Sequence, residues 1–363
     1  MRLRDRLSLI VVVLESLVLA CQAHGAITYT DLYTAGRPAG LTYATPQNRS
    51  AGGGQLAGVG GADSGTVAVL WSSQNKNGLS LHPVRTANSR ALYTSGSQQV
   101  GVVDFLAALW SSTAASYVNL NPTGAGASEA VGTDGTQQVG NAFVGTGYHA
   151  FVWNGTAASG VNLTPGSTYS AAYALGVGGG QQVGYGLRGA QRALVWNGTA
   201  ESVVELDGGR FISSTATGTD GASQVGSSVL PGGSAANSHA MLWKGTAASA
   251  VDLHPSEYAY TQATAVDGEY QVGFGRRTDG PVAATHALFW TGSSDSVISL
   301  GDLLPSNFVS SYASSIRGNT IYGVAQDTAN RIHAIAWTIP EPALMLTSAV
   351  LCGILLRRQR SGT

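Results

Sequence analysis

Four of the chain's seven histidines, His149, His239, His286 and His333, stand four residues before a tryptophan. Imidazoles at a fixed spacing are candidate metal ligands. Here each belongs to a separate copy of a repeated segment, so the four could meet only on a common axis. They read as structural hydrogen-bonding groups, and no metal site is assigned. His82 and His254 each precede a proline and read as turn residues. Glycosidic cleavage needs a pair of carboxylates. Asp134, Asp220 and Asp267 each precede glycine and are read as turns. The carboxylates outside that pattern include Asp63, Asp104, Glu129, Glu205, Asp207, Glu257, Asp279, Asp302 and Asp327. No two form a recognisable motif, so no catalytic residue and no cofactor is assigned. An enzyme acting on polysaccharide through carboxylates from distant repeats stays as the rival reading.

Arg188, Arg192, Arg276, Arg277 and Arg331 fall between the second and third strands of their repeats. They are the candidate ligand face, suited to an anionic polysaccharide. Asp279 and Asp327 share those segments and reduce the excess charge. The longest of these loops, 227–238 and 274–285, are the best placed for specific contacts. Gly176-Val177-Gly178-Gly179-Gly180 precedes a strand rather than a helix, so it lacks the helix N-terminus that holds phosphate. The net charge of −1 offers no field for nucleic acid.

The elements that position these residues follow from seven tryptophans: Trp71, Trp110, Trp153, Trp196, Trp243, Trp290 and Trp337. Their gaps are 39, 43, 43, 47, 47 and 47 residues, a period that marks one unit copied in series. Alanine precedes every tryptophan by three. Leucine follows the first six by ten, with an aliphatic residue at plus eight. A Gln-Val-Gly triplet recurs at 99–101, 138–140, 182–184, 224–226 and 271–273. Each repeat predicts four short strands. Asp-Gly is expected to close the first hairpin as a type I′ turn, and the plus-eight and plus-ten residues are expected on one face. Glycine at 49 of 363 residues leaves disorder as the other reading, but 44% hydrophobic content, charge at only 11% and the strict period argue for packed strands. Seven four-stranded antiparallel units predict an all-β fold, a seven-bladed β-propeller over residues 26–338. A linear β-solenoid is the structural rival. The seventh repeat lacks a fourth strand, and Tyr29-Thr30-Asp31-Leu32 matches Val251-Asp252-Leu253. The N-terminal strand is therefore expected to complete the last blade and remove an exposed edge.

Both ends stand apart from the repeats. Residues 1–25 read as a secretory signal, with Arg2, Arg4 and Arg6 before an apolar run and Ala23-His24-Gly25 at the cleavage spacing. A lipoprotein box ending in Cys21 is the alternative. At the other end, Pro340-Glu341-Pro342 precedes an apolar run from Ala343 to Leu356 and then Arg357, Arg358 and Arg360. This tail, 339–363, resembles the PEP-CTERM sorting signal of exosortase systems. The resemblance implies an exosortase-type processing enzyme as partner. It also implies transient anchoring in the inner membrane and a final place at the cell surface or outside the cell. The run would span roughly 21 Å as a helix, short for a permanent span. The only cysteines, Cys21 and Cys352, lie in these ends, so the repeat region has no disulfide.

The repeats also resemble the HAF repeat of exported bacterial proteins, with His149-Ala150-Phe151-Val152-Trp153 as the fullest match. Val67, Leu106 and Arg192 replace the histidine in three copies. That family is a repeat architecture and implies no reaction or cofactor. The expected role is a non-enzymatic binding or scaffold module, for which extracellular polysaccharide is the candidate ligand. A purely structural surface-layer component is the second alternative.

Overall fold

The computed structural model describes residues 26–340 except 64, 167 and 280–283. Residues 29–337 make one compact unit. Within it lie seven sheets of four strands. Blades 1 to 6 cover residues 43–80, 89–119, 125–162, 171–205, 213–252 and 258–299. Blade 7 takes three strands from 308–338, and Thr28–Thr34 is its fourth, paired beside Ile332–Thr338. The expected closure is therefore present. Asp31 and His333 pair at 2.8 Å although 302 residues separate them. The two end segments, residues 1–25 and 341–363, lie outside the described residues. The signal sequence, Glu341, Pro342, the apolar run, Arg357, Arg358 and Arg360 fall there, and so do the expected flanking helices. Among the described residues no helix is long and apolar enough to cross a membrane.

The core is a set of layers between blades. All seven tryptophans are fully buried. Trp196 of blade 4 packs with Val139, Ala150 and Val152 of blade 3, and Trp153 of blade 3 packs with Val100, Ala107 and Leu109 of blade 2. Burying about 150–250 Å² per indole at about 25 cal/mol/Å² stabilises by roughly 4–6 kcal/mol each, as an upper bound. The indole N–H of Trp110, Trp153, Trp196, Trp243 and Trp290 has no hydrogen-bond partner in the protein. These five tryptophans thus act by bulk, whereas Trp71 donates to the Gly36 carbonyl and Trp337 to the Leu300 carbonyl.

Polar ties run between blades instead. The N–H of the repeat alanine donates to a hydroxyl on the first strand of the next blade: Ala68 to Ser89, Ala107 to Ser128, Ala193 to Ser214 and Ala240 to Thr261. The residue after the repeat leucine holds that hydroxyl in place, through His82, Asn121, Asp207 or His254. His82 and His254 are therefore members of this network as well as turn residues. The triplet glutamines form a second chain. Gln138 Nε2 donates to Gln98 of blade 2 at 2.8 Å, and Gln224 Nε2 to Gln181 of blade 4 at 2.9 Å. Their Oε1 atoms accept from Gly155 and Gly245 after the tryptophans. A fully buried amide costs several kcal/mol if left unpaired, and here both of its ends are engaged.

The triplet glycine is explained by a β-bulge. In blade 3 the register slips between Ala130 and Gly132, opposite Gly140. A Cβ on Gly140 would lie 1.9 Å from the Glu129 carbonyl oxygen, and one on Gly226 would lie 1.9 Å from that of Thr215. Two sequence expectations need correction. Gly135 and Gly221 have positive φ, but Asp134 and Asp220 do not, so these are not type I′ turns. The Asp134 carboxylate accepts from the N–H groups of Thr136 and Gln137, which builds a longer turn. Both-positive pairs occur at Gly53-Gly54 and Gly179-Gly180. The plus-eight aliphatics also do not share the leucine's environment. Val161, Val204 and Ile298 are exposed on the outer strand, whereas Leu163, Leu206 and Leu300 are fully buried. In blades 1 to 6 the outer strand is only two residues long, and the leucine N–H then bonds to the repeat alanine carbonyl, as in Leu163 to Ala150 at 2.8 Å.

Candidate functional site

Strand order places two kinds of connection at opposite ends of the blades. One end carries the turns within the first and third hairpins. The other carries the loops from second to third strand and the crossings to the next blade; it is called the loop face here.

The five arginines lie at this face, and most are spent on neighbours. Of the five, only Arg331 lies in a loop between second and third strands, since Arg188, Arg276 and Arg277 fall at the ends of second strands and Arg192 falls within a third. Arg188 pairs with Glu205 at 2.8 Å and lies over the Tyr169 ring. Arg192, inside a third strand rather than a loop, pairs with fully buried Asp207 at 3.0 Å and donates to the Phe211 carbonyl. Arg277 pairs with Asp302 and lies over Tyr258. Arg276 lies 5.3 Å from the Tyr260 ring centroid. Arg331 pairs with Asp327 at 2.6 Å. Asp327 is buried, which opposes its ionisation. Bonds from the Arg331 N–H and guanidinium, from His333 and from the Ala329 N–H override this and hold the carboxyl well below the usual range. The four repeat histidines do not converge. His149, His239 and His333 bond to their own blade's outer strand, at Asn162, Asp252 and Asp31, and His286 pairs with Asp302 in the crossing to blade 7. Among the described residues no three His, Cys, Asp or Glu side chains are grouped to hold a metal.

The central channel contains a cavity of about 490 Å³ toward the turn end. Its lining mixes glycine, serine and threonine with apolar and aromatic side chains such as Tyr93, Leu175, Val266, Ile316 and Tyr322, and includes Asp134, Asp220, Asp267 and Arg317. Two of these carboxylates brace the next blade: Asp220 accepts from the Gly268 N–H and Asp267 from the Gly318 N–H.

A different group stands out at the loop face of blades 3 and 4. Phe143 and Tyr148 meet edge to face at 5.3 Å, Tyr148 stacks on Tyr173 at 5.7 Å, and Tyr173 stacks on Tyr185 at 4.9 Å. Phe143 is 36% exposed and Tyr148 45%. Glu129 lies beside the row. Buried Asn141 donates to its Oε1 at 3.2 Å and is itself pinned by the Ala174 N–H. Burial first, then Tyr148 and Glu129, raises the Tyr173 phenol; burial, then Tyr173 and Glu129, raises that of Tyr185. Both stay protonated at neutral pH. A second aromatic group, Tyr260, Phe274 and Tyr312, spans blades 6 and 7, but Arg276 lies over Tyr260. Among the described residues, the arginine–ring contacts of this face fall on Tyr169, Tyr258 and Tyr260, not on the row of blades 3 and 4.

Sequence reasoning singled out Glu129 only as a carboxylate outside the pattern and missed the tyrosines. A signal was available. Eleven residues before the triplet glycine stand Arg90, Glu129, Tyr173, Thr215, Gln262 and Tyr312, with Thr45 in the matching place of blade 1. This is the innermost strand, where the framework repeats and the side chain varies, as expected where a symmetric scaffold carries a specific site.

No family model matches the chain, and no curated protein does either. Solved structures match across its length. They include an oligogalacturonate lyase in complex with manganese (TM-score 0.50, 11% identity, 87% of this chain and 97% of that one). The β-propeller domain of the Trilobed protease from Pyrococcus furiosus matches with TM-score 0.52 and 8% identity, over 84% and 99%. A puromycin hydrolase matches with TM-score 0.54 and 12% identity, over 85% of this chain and 56% of that one. At such identities the likeness is one of fold, and on fold the sheets and the comparisons agree: the chain is a β-propeller.

Proposed function

We propose that the chain is an exported, surface-associated or secreted propeller that works as a binding or scaffold module for extracellular polysaccharide, without turning it over. One observation carries the reading. An open row of stacked aromatic rings, flanked by an oriented carboxylate, lies at the loop face on a rigid sheet framework. Aromatic rings and fixed polar groups together suit a hydroxyl-rich, partly apolar ligand. The signal sequence supports export. The Pro-Glu-Pro tail supports a temporary stay in the inner membrane before an exosortase-type enzyme acts on it.

The test is retention of the purified chain on a panel of extracellular polysaccharides, with the polymer's length measured before and after. Saturable retention with unchanged length is expected. Absence of retention across the panel would refute binding and favour the structural surface-layer role. Shortening of the polymer would favour the enzyme.

A further inference from the structure

We infer that the aromatic row of blades 3 and 4 is a subsite for uncharged pyranosides and that it disfavours uronate polymers. The inference rests on the polysaccharide-binding reading and names the site and sugar class within it.

Three features carry it. The first is shape. Tyr148 and Phe143 are the exposed end of a row whose deeper members, Tyr173 and Tyr185, hold it in place by stacking. The C–H face of an uncharged sugar packs against such rings, while the phenol hydroxyls serve as donors or acceptors. The second is the carboxylate. Asn141 fixes one oxygen of Glu129, and among the described residues no cation is paired with it. An ionised carboxylate accepts strong hydrogen bonds from sugar hydroxyls and repels a carboxylated sugar. The third is the balance of charge around the mouth. Of the seven equivalent inner positions, Arg90 in blade 2 supplies the one positive charge and Glu129 the one negative. The ring is therefore neutral. Arg188, Arg192, Arg277 and Arg331 are already matched by Glu205, Asp207, Asp302 and Asp327. A polyanion would meet no net charge at the inner positions, and at the rings a fixed negative group. This reverses the preference expected from the arginines in the sequence.

The experiment is calorimetric titration of the full chain with a neutral β-linked glucan hexaose and with hexagalacturonate, repeated on Tyr148→Ala, Glu129→Gln and Arg188→Ala. The neutral hexaose is expected to bind at least about tenfold more tightly, equivalent to about 1.4 kcal/mol. Tyr148→Ala should abolish most of that affinity, and Glu129→Gln should weaken it while narrowing the gap to hexagalacturonate. Arg188→Ala should change neither. Tighter binding of hexagalacturonate, lost in Arg188→Ala and kept in Tyr148→Ala, would overturn the inference and leave polysaccharide binding intact. So would a concentration-dependent dimer that Tyr148→Ala abolishes, because the row would then be a contact between copies. Neither hexaose binding while other polysaccharides of the panel are retained would remove this subsite alone. Absence of retention on any polysaccharide would sink the underlying reading too. Tyr148 is exposed and Gln keeps the bond to Asn141, so both variants are expected to fold, as near-ultraviolet circular dichroism would verify.

Discussion

Tyr33 is the residue through which the N-terminal strand reports on ring closure. It is 4% exposed and packs with Leu56, Val69 and Trp71 of blade 1 and with Ala334 of blade 7. Its hydroxyl donates to the Trp71 carbonyl at 3.0 Å, and burial raises its pKa. Replacing a buried aromatic side chain by alanine costs about 3–5 kcal/mol from lost transfer energy and the cavity left behind. Tyr33→Ala is thus expected to destabilise the ring by about 4 kcal/mol, whereas Tyr33→Phe loses only the hydroxyl bond, about 1 kcal/mol. Urea unfolding followed by tryptophan fluorescence reads both, because Trp71 and Trp337 flank the closure. The two variants should shift the midpoint in that order within a single transition, since a closed ring has no free end from which to fray. A loss below about 1 kcal/mol for Tyr33→Ala would show that the strand adds nothing to the ring.

Two further outcomes are expected. Asp327 has a depressed carboxyl pKa in the folded chain. Its contribution to stability is therefore complete above the ordinary value of 3.8 and is lost as pH falls below it toward the folded value. Urea unfolding at about pH 4 and about pH 2 should show the parent chain losing more stability over that interval than Asp327→Asn does. Replacing Pro340, Glu341 and Pro342 together by alanine should leave the chain in the inner-membrane fraction of its host, where the parent chain is released. Equal release of both would remove the sorting-signal reading.

The architecture was legible because its determinants are local and repeated. A tryptophan every 39–47 residues, an alanine three before it and a glycine-ended triplet recover the blade count and strand order. Closure was legible because Asp31-Leu32 copies Asp252-Leu253. Turn geometry was less so. Asp-Gly at 134 and 220 suggested type I′, but the aspartate accepts backbone hydrogens two and three residues on, which keeps its own φ negative. The arginines were placed at the correct end, yet Arg188, Arg192 and Arg277 pair with side chains 15–25 residues away that no local pattern announces. The tyrosine row was hidden for a similar reason. Tyr148 and Tyr173 belong to different blades, and only the stacking of sheets brings their rings together.

The sheet that contains Thr28–Thr34 also contains Ile332–Thr338, so it cannot be assembled until nearly the whole chain has been made. The propeller's first strand must wait for its last. Contacts of such long sequence separation form slowly, and an unpaired strand is a template for foreign pairing in the meantime. Any break in translation before residue 332 would leave an orphan edge at each end of an unclosed arc. The joint that makes the finished ring durable is therefore also its period of greatest exposure to misassembly during biogenesis.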